Sequence, residues 1–200
     1  MKLKITILSI ATFFSIAAMA GNEDRIGSAG STQLLINPWA RSSAWASSGG
    51  AHIKGLGALQ LNVAGLALAD KTEIEFTNTS WMQSTGIKLN SFGLAQRVGE
   101  SGVLGISMMT VNYGDIPITT TELPEGGLGT FSPTSFLLNL AYAKEFSASI
   151  SGGINIKILS EGIANAKANG VAFDAGVRYV TGERDHIKIG LALKNVGPPM

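Results

Sequence analysis

Apolar and polar residues alternate with a period of two over most of the chain from Lys71 onward. The clearest stretch is 149–159, where isoleucines share one face with Gly152 while serine, asparagine and lysine residues occupy the other. Residues 171–179 and 187–194 follow the same pattern. A period of two is typical of strands with one apolar face. The pattern therefore predicts an all-β fold.

Seven strands are predicted in this way. They cover residues 71–81, 86–98, 102–113, 134–144, 147–159, 170–180 and 186–195. Most exceed the usual strand length of about 5–6 residues and match the roughly 9–11 residues that cross a bilayer at a tilt. The alternation is weaker in the second and third strands. There Phe92 and Leu94, or Ile106 and Met108, fall on the face expected to be polar, which leaves the register of these strands open.

The predicted connections alternate in length along the chain. Residues 98–102, 144–147 and 181–185 form short charged turns, whereas residues 114–133 and 160–169 form longer loops. Outer-membrane barrels have short periplasmic turns and longer external loops. The sequence thus predicts an antiparallel transmembrane β-barrel, with about seven strands present. A soluble exported β-sandwich also has alternating strands and stays open as an alternative.

The N-terminus has the three parts of an export signal. Lys2 and Lys4 precede a fourteen-residue apolar stretch, and Ala18 and Ala20 form a small-residue cleavage pattern before Gly21. We therefore predict a signal peptide at residues 1–20 that directs the chain to the bacterial outer membrane. Without Lys2 and Lys4, acidic residues outnumber basic ones by one.

Composition narrows the possible functions. Charged residues make up 14% of the chain, hydrophobic residues 45%, and the formal net charge is +1. The charge gives no basis for nucleic-acid binding, and the absence of cysteine excludes disulfides and thiolate metal sites. His52 and His186 show no metal-binding spacing. We predict no catalytic residues, no cofactor and no metal.

Charged residues on the predicted strands are interpreted as lining a wet interior. Glu73 and Glu75 share one face of the first strand, where a solvated wall is a better explanation than an acid/base pair. Four basic residues are expected on the same side of the sheet. They are Lys157, Arg178, Lys188 and Lys194.

Residues 21–70 differ from the rest, because they are rich in glycine, alanine and serine and contain few clear strands. An Ala-Arg pair, an Asn-Val-Ala-Gly-Leu stretch and a C-terminal Asn-Val-Gly-Pro follow one another along the chain. The motif residues are Ala40, Arg41, Asn62, Ala64, Gly65, Leu66, Asn195, Gly197 and Pro198. Their order resembles the PorV/PorQ family of outer-membrane barrels, which are related to FadL-type channels. Val63 departs from the proline usual in that family, and Trp45 from the methionine of a Gly-Met-Gly turn.

The resemblance implies a barrel of fourteen strands. Residues 71–200 would be the first half of it, so we expect a C-terminally truncated sequence, with residues 21–70 as a plug-like or periplasmic segment. The resemblance also implies a non-enzymatic role in type IX protein secretion: binding exported proteins and passing them to the translocon or the surface-attachment machinery. A FadL-like channel for small hydrophobic molecules is the alternative.

The expected partners are outer-membrane lipid, secreted proteins and other secretion-system subunits. The candidate partner surface is the long loop at 114–133, because external loops can vary without harm to a barrel. Its marker residues are Pro117, Pro124, Glu125, Gly126, Gly127, Gly129 and Pro133.

Overall fold

The computed structural model describes residues 31–46 and 48–198, which belong to one compact unit. The predicted signal peptide, with Ala18, Ala20 and Gly21, lies outside the described residues. The strands are Thr72–Ser80 (β1), Lys88–Val98 (β2), Gly102–Asn112 (β3), Ile116–Pro117 (β4), Thr130–Phe131 (β5), Thr134–Glu145 (β6), Ile150–Ile163 (β7), Ala166–Thr181 (β8) and Ile187–Val196 (β9).

Seven of these strands form one antiparallel sheet in the order β1-β2-β3-β6-β7-β8-β9, so each long strand pairs with the next one in the chain. The all-β prediction is therefore confirmed. β4 and β5 form a separate small ribbon within the loop between β3 and β6. Within the described residues, β1 and β9 are the two edges and the sheet is not closed.

One predicted loop is wrong. Residues 160–169 are not a long connection, because β7 runs to Ile163 and β8 begins at Ala166. Small and polar residues carry no alternating apolar signal, but backbone pairing extends the ladder regardless of side-chain polarity. The strands are therefore longer at this end of the sheet than the sequence pattern predicted.

The register of β2 and β3 explains their weak alternation. Phe92 lies opposite Met108, and Leu94 lies opposite Ile106, so all four side chains share one face of the sheet. That face carries the large exposed apolar side chains of every long strand, and we call it the outer face. The register that the sequence left open therefore places all four residues on the apolar outer face.

The opposite side of the sheet, the inner face, is buried over β2, β3, β6, β7 and β8. In β2 and β3 it also carries apolar residues, which is why the alternation looked poor. These residues are Leu89, Ala95, Val103, Met109 and Val111. They are buried because the chain before β1 packs over them.

This covering segment comprises residues 31–46 and 48–69. It contains one short α-helix, Ala40–Ser43 (α1), and three 3-10 helices, Thr32–Leu35, Gly55–Ala58 and Val63–Leu68. Leu56, Leu59, Val63 and Leu66 form a core with inner-face residues such as Val103. Among the described residues, no helix is long and apolar enough to cross a membrane.

The two ends of the sheet differ in their connections. We call the end with the turns at 99–101, 146–149 and 182–186 the short-turn end, and the other the long-loop end. The chain enters β1 at the short-turn end, and the loop at 113–133 lies at the long-loop end.

Candidate functional site at the inner face

A band of small residues crosses the inner face and provides the seat for the covering segment. It consists of two paired rows that meet on β6: Ala95, Gly105 and Ala141 on β2, β3 and β6, and Ala143, Gly153 and Gly176 on β6, β7 and β8. The 3-10 helix Val63–Leu68 contacts β3, β6, β7 and β8. A Cβ atom on Gly105 would lie 2.9 Å from Leu66 Cδ2, and one on Gly176 would overlap Asn62 Oδ1. Glycine is needed here so that the segment can approach the sheet closely.

Asn62 links the covering segment to the sheet with both ends of its amide. Its Oδ1 accepts a hydrogen bond from the Ala64 backbone N–H at 3.1 Å, which caps the following 3-10 helix. Its Nδ2 donates to the Val177 carbonyl oxygen of β8, also at 3.1 Å. One side chain thus starts the helix and fixes its position against β8.

Arg97, at the short-turn end of β2, holds the other end of the same helix. Its guanidinium donates to the carbonyl oxygens of Ala67 at 3.1 Å and Ala69 at 2.7 Å. It also pairs with Glu145 of β6, with Arg97 Nη1 at 3.2 Å from Glu145 Oε1. A guanidinium suits this position because it presents several donors in a fixed planar arrangement.

Two further charged residues bind the backbone of the covering segment. Arg178 donates from Nε to the Ala51 carbonyl oxygen at 2.8 Å. Glu73 accepts hydrogen bonds from the backbone N–H groups of Leu56 and Asp70, each at 3.1 Å. The prediction of a solvated wall is therefore wrong for Glu73 and Arg178, because the segment occupies the space next to them.

A buried ion pair lies on the inner face between β7 and β8. Lys157 Nζ is 2.7 Å from Asp174 Oδ2, and the two side chains are 0% and 3% exposed. Lys157 Nζ also donates to Asn195 Oδ1 at 2.8 Å, and the Asn195 backbone N–H donates to Asp174 Oδ1 at 2.7 Å. Buried charges are tolerated when they are paired and hydrogen-bonded in this way. Lys157 is thus on the predicted side of the sheet but is not solvated, whereas Lys188 and Lys194 are exposed.

Hydrogen bonds continue from this pair across the sheet. Asn155 Nδ2 lies 3.3 Å from Asp174 Oδ2 and 3.2 Å from Asn139 Oδ1. Asn139 Nδ2 in turn donates to Ser107 Oγ at 3.0 Å. With Asn195, this polar chain joins β3, β6, β7, β8 and β9. It links five strands of the sheet through side chains.

The site was only partly visible in the sequence. Lys157 and Asn195 were singled out, but Ser107, Asn139, Asn155 and Asp174 were not. They form a row because their strands pair Ser107 with Asn139 and Asn155 with Asp174. The signal in the sequence is the presence of polar residues at similar heights on neighbouring predicted strands.

The family-motif residues divide into two groups. Asn62, Ala64, Gly65, Leu66 and Asn195 lie at contacts between segments of the chain. Ala64 and Leu66 are fully buried, and a Cβ atom on Gly65 would overlap the Ile53 carbonyl oxygen. Gly197 belongs with them, since a Cβ there would overlap the Val171 carbonyl oxygen. Ala40, Arg41 and Pro198 are exposed.

The candidate partner loop is exposed along most of its length. Pro117 pairs with Thr130 in the β4–β5 ribbon, and Glu125 lies near the middle of the loop in an exposed position. Positive φ angles at Gly126, Gly127 and Gly129 allow the sharp backbone course between them. Pro124 is exposed and Pro133 half-buried.

The two histidines have separate surroundings. The His52 ring contacts Trp45 edge-on, with ring centroids 5.4 Å apart. His186 Nδ1 contacts the Glu183 carbonyl oxygen in the turn before β9. In the part of the chain that the structure describes, no three His, Cys, Asp or Glu side chains are grouped closely enough to hold a metal ion.

Comparison with known proteins adds no assignment. No family model matches the chain, and no curated protein matches it.

Proposed function

We propose that this chain forms part of an antiparallel transmembrane β-barrel in the bacterial outer membrane. The observation that carries the proposal is the contrast between the two faces of the seven-stranded sheet. Large apolar side chains are exposed on the outer face of every long strand. They include Ile74, Phe76, Phe92, Leu104, Ile106, Met108, Phe136, Leu140, Tyr142, Ile154, Ile156, Ile158, Val171, Phe173, Val177, Tyr179, Ile189, Leu191 and Leu193.

Such a surface is unfavourable in water. Soluble monomers rarely expose contiguous apolar patches larger than a few hundred Å², whereas Phe76 is 67% exposed and Leu191 is 71% exposed at opposite edges of one continuous face. In a bilayer the same face contacts acyl chains. Strands of 9–16 residues are long enough to cross a hydrocarbon core when tilted. In the proposed barrel, β1 and β9 pair with further strands, since lipid offers no hydrogen-bond partners. The family resemblance implies fourteen in all.

We further propose that the protein is a non-enzymatic component of type IX protein secretion. The support is the resemblance to the PorV/PorQ family, together with the positions of its motif residues. Asn62 joins the covering segment to β8, and Asn195 joins β9 to β8. Gly65 allows two parts of the covering segment to pack closely, since a Cβ atom there would overlap the Ile53 carbonyl oxygen. The exposed loop at 113–133 offers a surface on which exported proteins could bind without disturbing the sheet.

Membrane insertion is tested on the full chain by flotation with outer-membrane vesicles and by heat-modifiable migration in detergent gels. We expect the protein to float with the vesicles and to migrate differently after boiling. Recovery only in the soluble periplasmic fraction would overturn the membrane proposal and favour the soluble exported β-protein.

The partner proposal is tested with a photo-crosslinking amino acid at Glu125. The control places it at Glu183, which is also exposed but lies in a short turn at the other end of the sheet. We expect secreted proteins to be captured from Glu125 and not from Glu183. Equal capture from both sites, or from neither, would contradict a partner surface at the long loop.

The second candidate, a FadL-like channel, is favoured by an apolar cluster on the inner face. This cluster joins Leu34 of the covering segment to Leu89, Met109, Val111 and Leu137 of the sheet. A channel predicts that liposomes containing the protein take up a fatty acid or an aromatic compound, and that deletion of the covering segment changes the uptake. No uptake by correctly inserted protein would exclude this function.

A further inference from the structure

Two apolar grooves lie side by side on the outer face of the sheet. The larger groove, of about 660 Å³, crosses β6, β7, β8 and β9, with Tyr142 and Phe146 on one side and Leu191 and Leu193 on the other. The smaller groove, of about 370 Å³, crosses β2, β3, β6 and β7. Tyr142 and Ile154 line both grooves, so the two grooves meet at this pair of side chains.

A positive charge lies where the larger groove reaches the short-turn end of the sheet. Lys144 lines this groove in an exposed position, and the strand pairing places Gly102 and Gly152 directly opposite it on the neighbouring strands. Aromatic rings lie over both glycines. A Cβ atom on Gly102 would be 2.9 Å from the Tyr142 hydroxyl oxygen, and one on Gly152 would be 2.9 Å from Phe146 Cε2. Lys144 therefore lies between a phenol and a phenyl ring.

The polar groups of Lys144 and Tyr142 are accessible and have no partner in the part of the chain that the structure describes. Neither side chain makes a hydrogen bond or an ion pair there, and Tyr142 is 42% exposed. An ammonium group binds phosphate as a point charge, and a phenol can donate a hydrogen bond to it. Lysine, tyrosine and phenylalanine side chains are also suited to the interface between lipid and water, because each has an apolar body.

The charge of the outer face has a single sign. On the long strands that the structure describes, the pairing register assigns three charged residues to this face, and all three are lysines. Lys88 and Lys167 lie at the long-loop end, whereas Lys144 lies at the short-turn end. The acidic residues of these strands belong to the inner face. An anionic group at the short-turn end of the outer face therefore meets attraction from Lys144 and no opposing carboxylate on its own side of the sheet.

We propose that the two grooves bind one diacyl phospholipid with an anionic head group. Its phosphate lies at Lys144 and the Tyr142 hydroxyl, and one acyl chain lies in each groove. Two apolar grooves that meet beside one positive group match a lipid with two chains and one head group. The inference rests on the proposed function, since it requires the outer face to lie in a bilayer. The short-turn end is periplasmic in such a barrel, so the lipid belongs to the periplasmic leaflet.

The test uses the full chain in detergent micelles, with native mass spectrometry to count bound lipids. Dioleoyl phosphatidylglycerol is compared with dioleoyl phosphatidylethanolamine, which has the same chains without net charge, and with oleoyl lysophosphatidylglycerol, which has the same head group on one chain. We expect one phosphatidylglycerol to bind about fivefold more tightly than either comparison lipid. If either comparison lipid binds as tightly, the proposed head group or the proposed second chain is wrong.

Lys144→Gln removes the charge and leaves the grooves in place. We expect it to weaken binding of phosphatidylglycerol about fivefold and to abolish the preference over phosphatidylethanolamine. Lys88→Gln is the matched control, because Lys88 is also an exposed lysine on the outer face but lies at the long-loop end. It should leave binding unchanged. Equal effects of the two variants, or no effect of Lys144→Gln, would overturn a defined site at Lys144.

Ala175→Leu tests the second chain. Ala175 is exposed and lines the larger groove, so a leucine there occupies space that an acyl chain requires. We expect the variant to reduce the advantage of phosphatidylglycerol over its one-chain analogue and to retain the preference over phosphatidylethanolamine. Val171→Leu is the control, because it enlarges another exposed outer-face residue of β8 that lines neither groove. An advantage of the same size in Ala175→Leu and the native chain would contradict the assignment of a chain to this groove.

Flotation and heat-modifiable migration of the same proteins distinguish this inference from the proposed function. All three lysine and alanine variants are expected to insert and migrate as the native chain does. If the native chain inserts but shows no preference among the three lipids, the lipid site fails alone. If the chain does not insert, the membrane proposal fails and the lipid site fails with it.

Discussion

The outer and inner faces of the sheet share every backbone hydrogen bond but differ in what their side chains contact. On the outer face, residues such as Ile154 and Phe173 are exposed and apolar, with no other part of the described chain over them. On the inner face, Lys157 is completely buried, and its charge is paired with that of Asp174. Exposure here does not follow polarity, which is the reverse of the usual arrangement in water.

The environment of each face of the sheet therefore has to be inferred separately. Over β2, β3, β6, β7 and β8 the inner face is a conventional protein interior, with apolar clusters on either side of a polar chain whose charged members are paired. The outer face follows the pattern of a lipid-facing surface. Substitutions on each face separate these two environments.

The largest effect is expected at the buried ion pair. Asp174→Asn retains the shape of the side chain but leaves the Lys157 charge buried without its counter-ion. We expect a loss of about 3–5 kcal/mol in the free energy of unfolding, because an uncompensated buried charge is strongly destabilising. Urea titration in detergent micelles measures it.

The control combines Asp174→Asn with Lys157→Met. This double variant has no charge left at the site and should recover most of the loss. A single variant as stable as the native protein would mean that water reaches Lys157 and that the inner face is not a protein interior.

The next effect tests the outer face. Ile156→Lys places a charge in the middle of β7, between Leu140 and Phe173 of the neighbouring strands. If this face contacts acyl chains, the substitution costs about 2–4 kcal/mol in a bilayer. Folding into vesicles of defined lipid composition gives the measurement.

Leu123→Lys is the matched control, because Leu123 is an exposed apolar residue in the loop outside the long strands. It should change stability by less than about 0.5 kcal/mol. Equal, small effects at both positions are what a water-exposed outer face would give, and they would remove the basis of the membrane proposal.

A moderate effect is expected where the covering segment approaches β8. Gly176→Ala forces a Cβ atom against Asn62 Oδ1, so the segment has to shift. Overpacking of this kind costs about 1–3 kcal/mol. Faster proteolysis within residues 48–69 would show the displacement directly.

Gly162→Ala provides the comparison on β7, because a Cβ there meets only Thr134 Oγ1 at 3.7 Å, an ordinary van der Waals distance. It should not alter proteolysis. If Gly176→Ala resists proteolysis as well as the native chain does, the covering segment is not packed closely against β8.

The smallest effect is expected for Asn62→Ala. This variant loses the cap to the Ala64 N–H and the hydrogen bond to the Val177 carbonyl. Loss of such a cap costs about 0.5–2 kcal/mol, which thermal unfolding in micelles detects. Asn62→Asp keeps the accepting oxygen but not the donor, so it should recover part of the loss; an unchanged midpoint for Asn62→Ala would mean that neither bond contributes.

Much of the sheet could be predicted, because alternation is a local property of each strand. The faces of β7 and β8 follow directly from the isoleucines of 150–158 and from the apolar positions of 171–179. The same rule failed at residues 160–169, where small and polar residues pair without alternating. It also failed for β2 and β3, where the inner face carries apolar residues such as Met109 and Val111. These side chains form a buried cluster with Leu34 of the covering segment.

The candidate site was less predictable, because each of its contacts joins residues far apart in the chain. The Asn62–Val177 and Arg178–Ala51 hydrogen bonds connect positions separated by more than a hundred residues. Nothing in the local pattern around Arg178 distinguishes a side chain that faces water from one that binds a carbonyl oxygen.

The sequence by itself determined which residues form strands and, for most of them, which side chains share a face, since the pleat of a strand depends only on successive residues. Only the tertiary structure decided which face is buried and what buries it. The covering segment lies over the glycines of the inner face. Lys157, Asn155 and Asp174 form a buried, hydrogen-bonded polar chain instead of a wet wall. Burial depends on packing between distant segments, and alternation along one strand cannot report it.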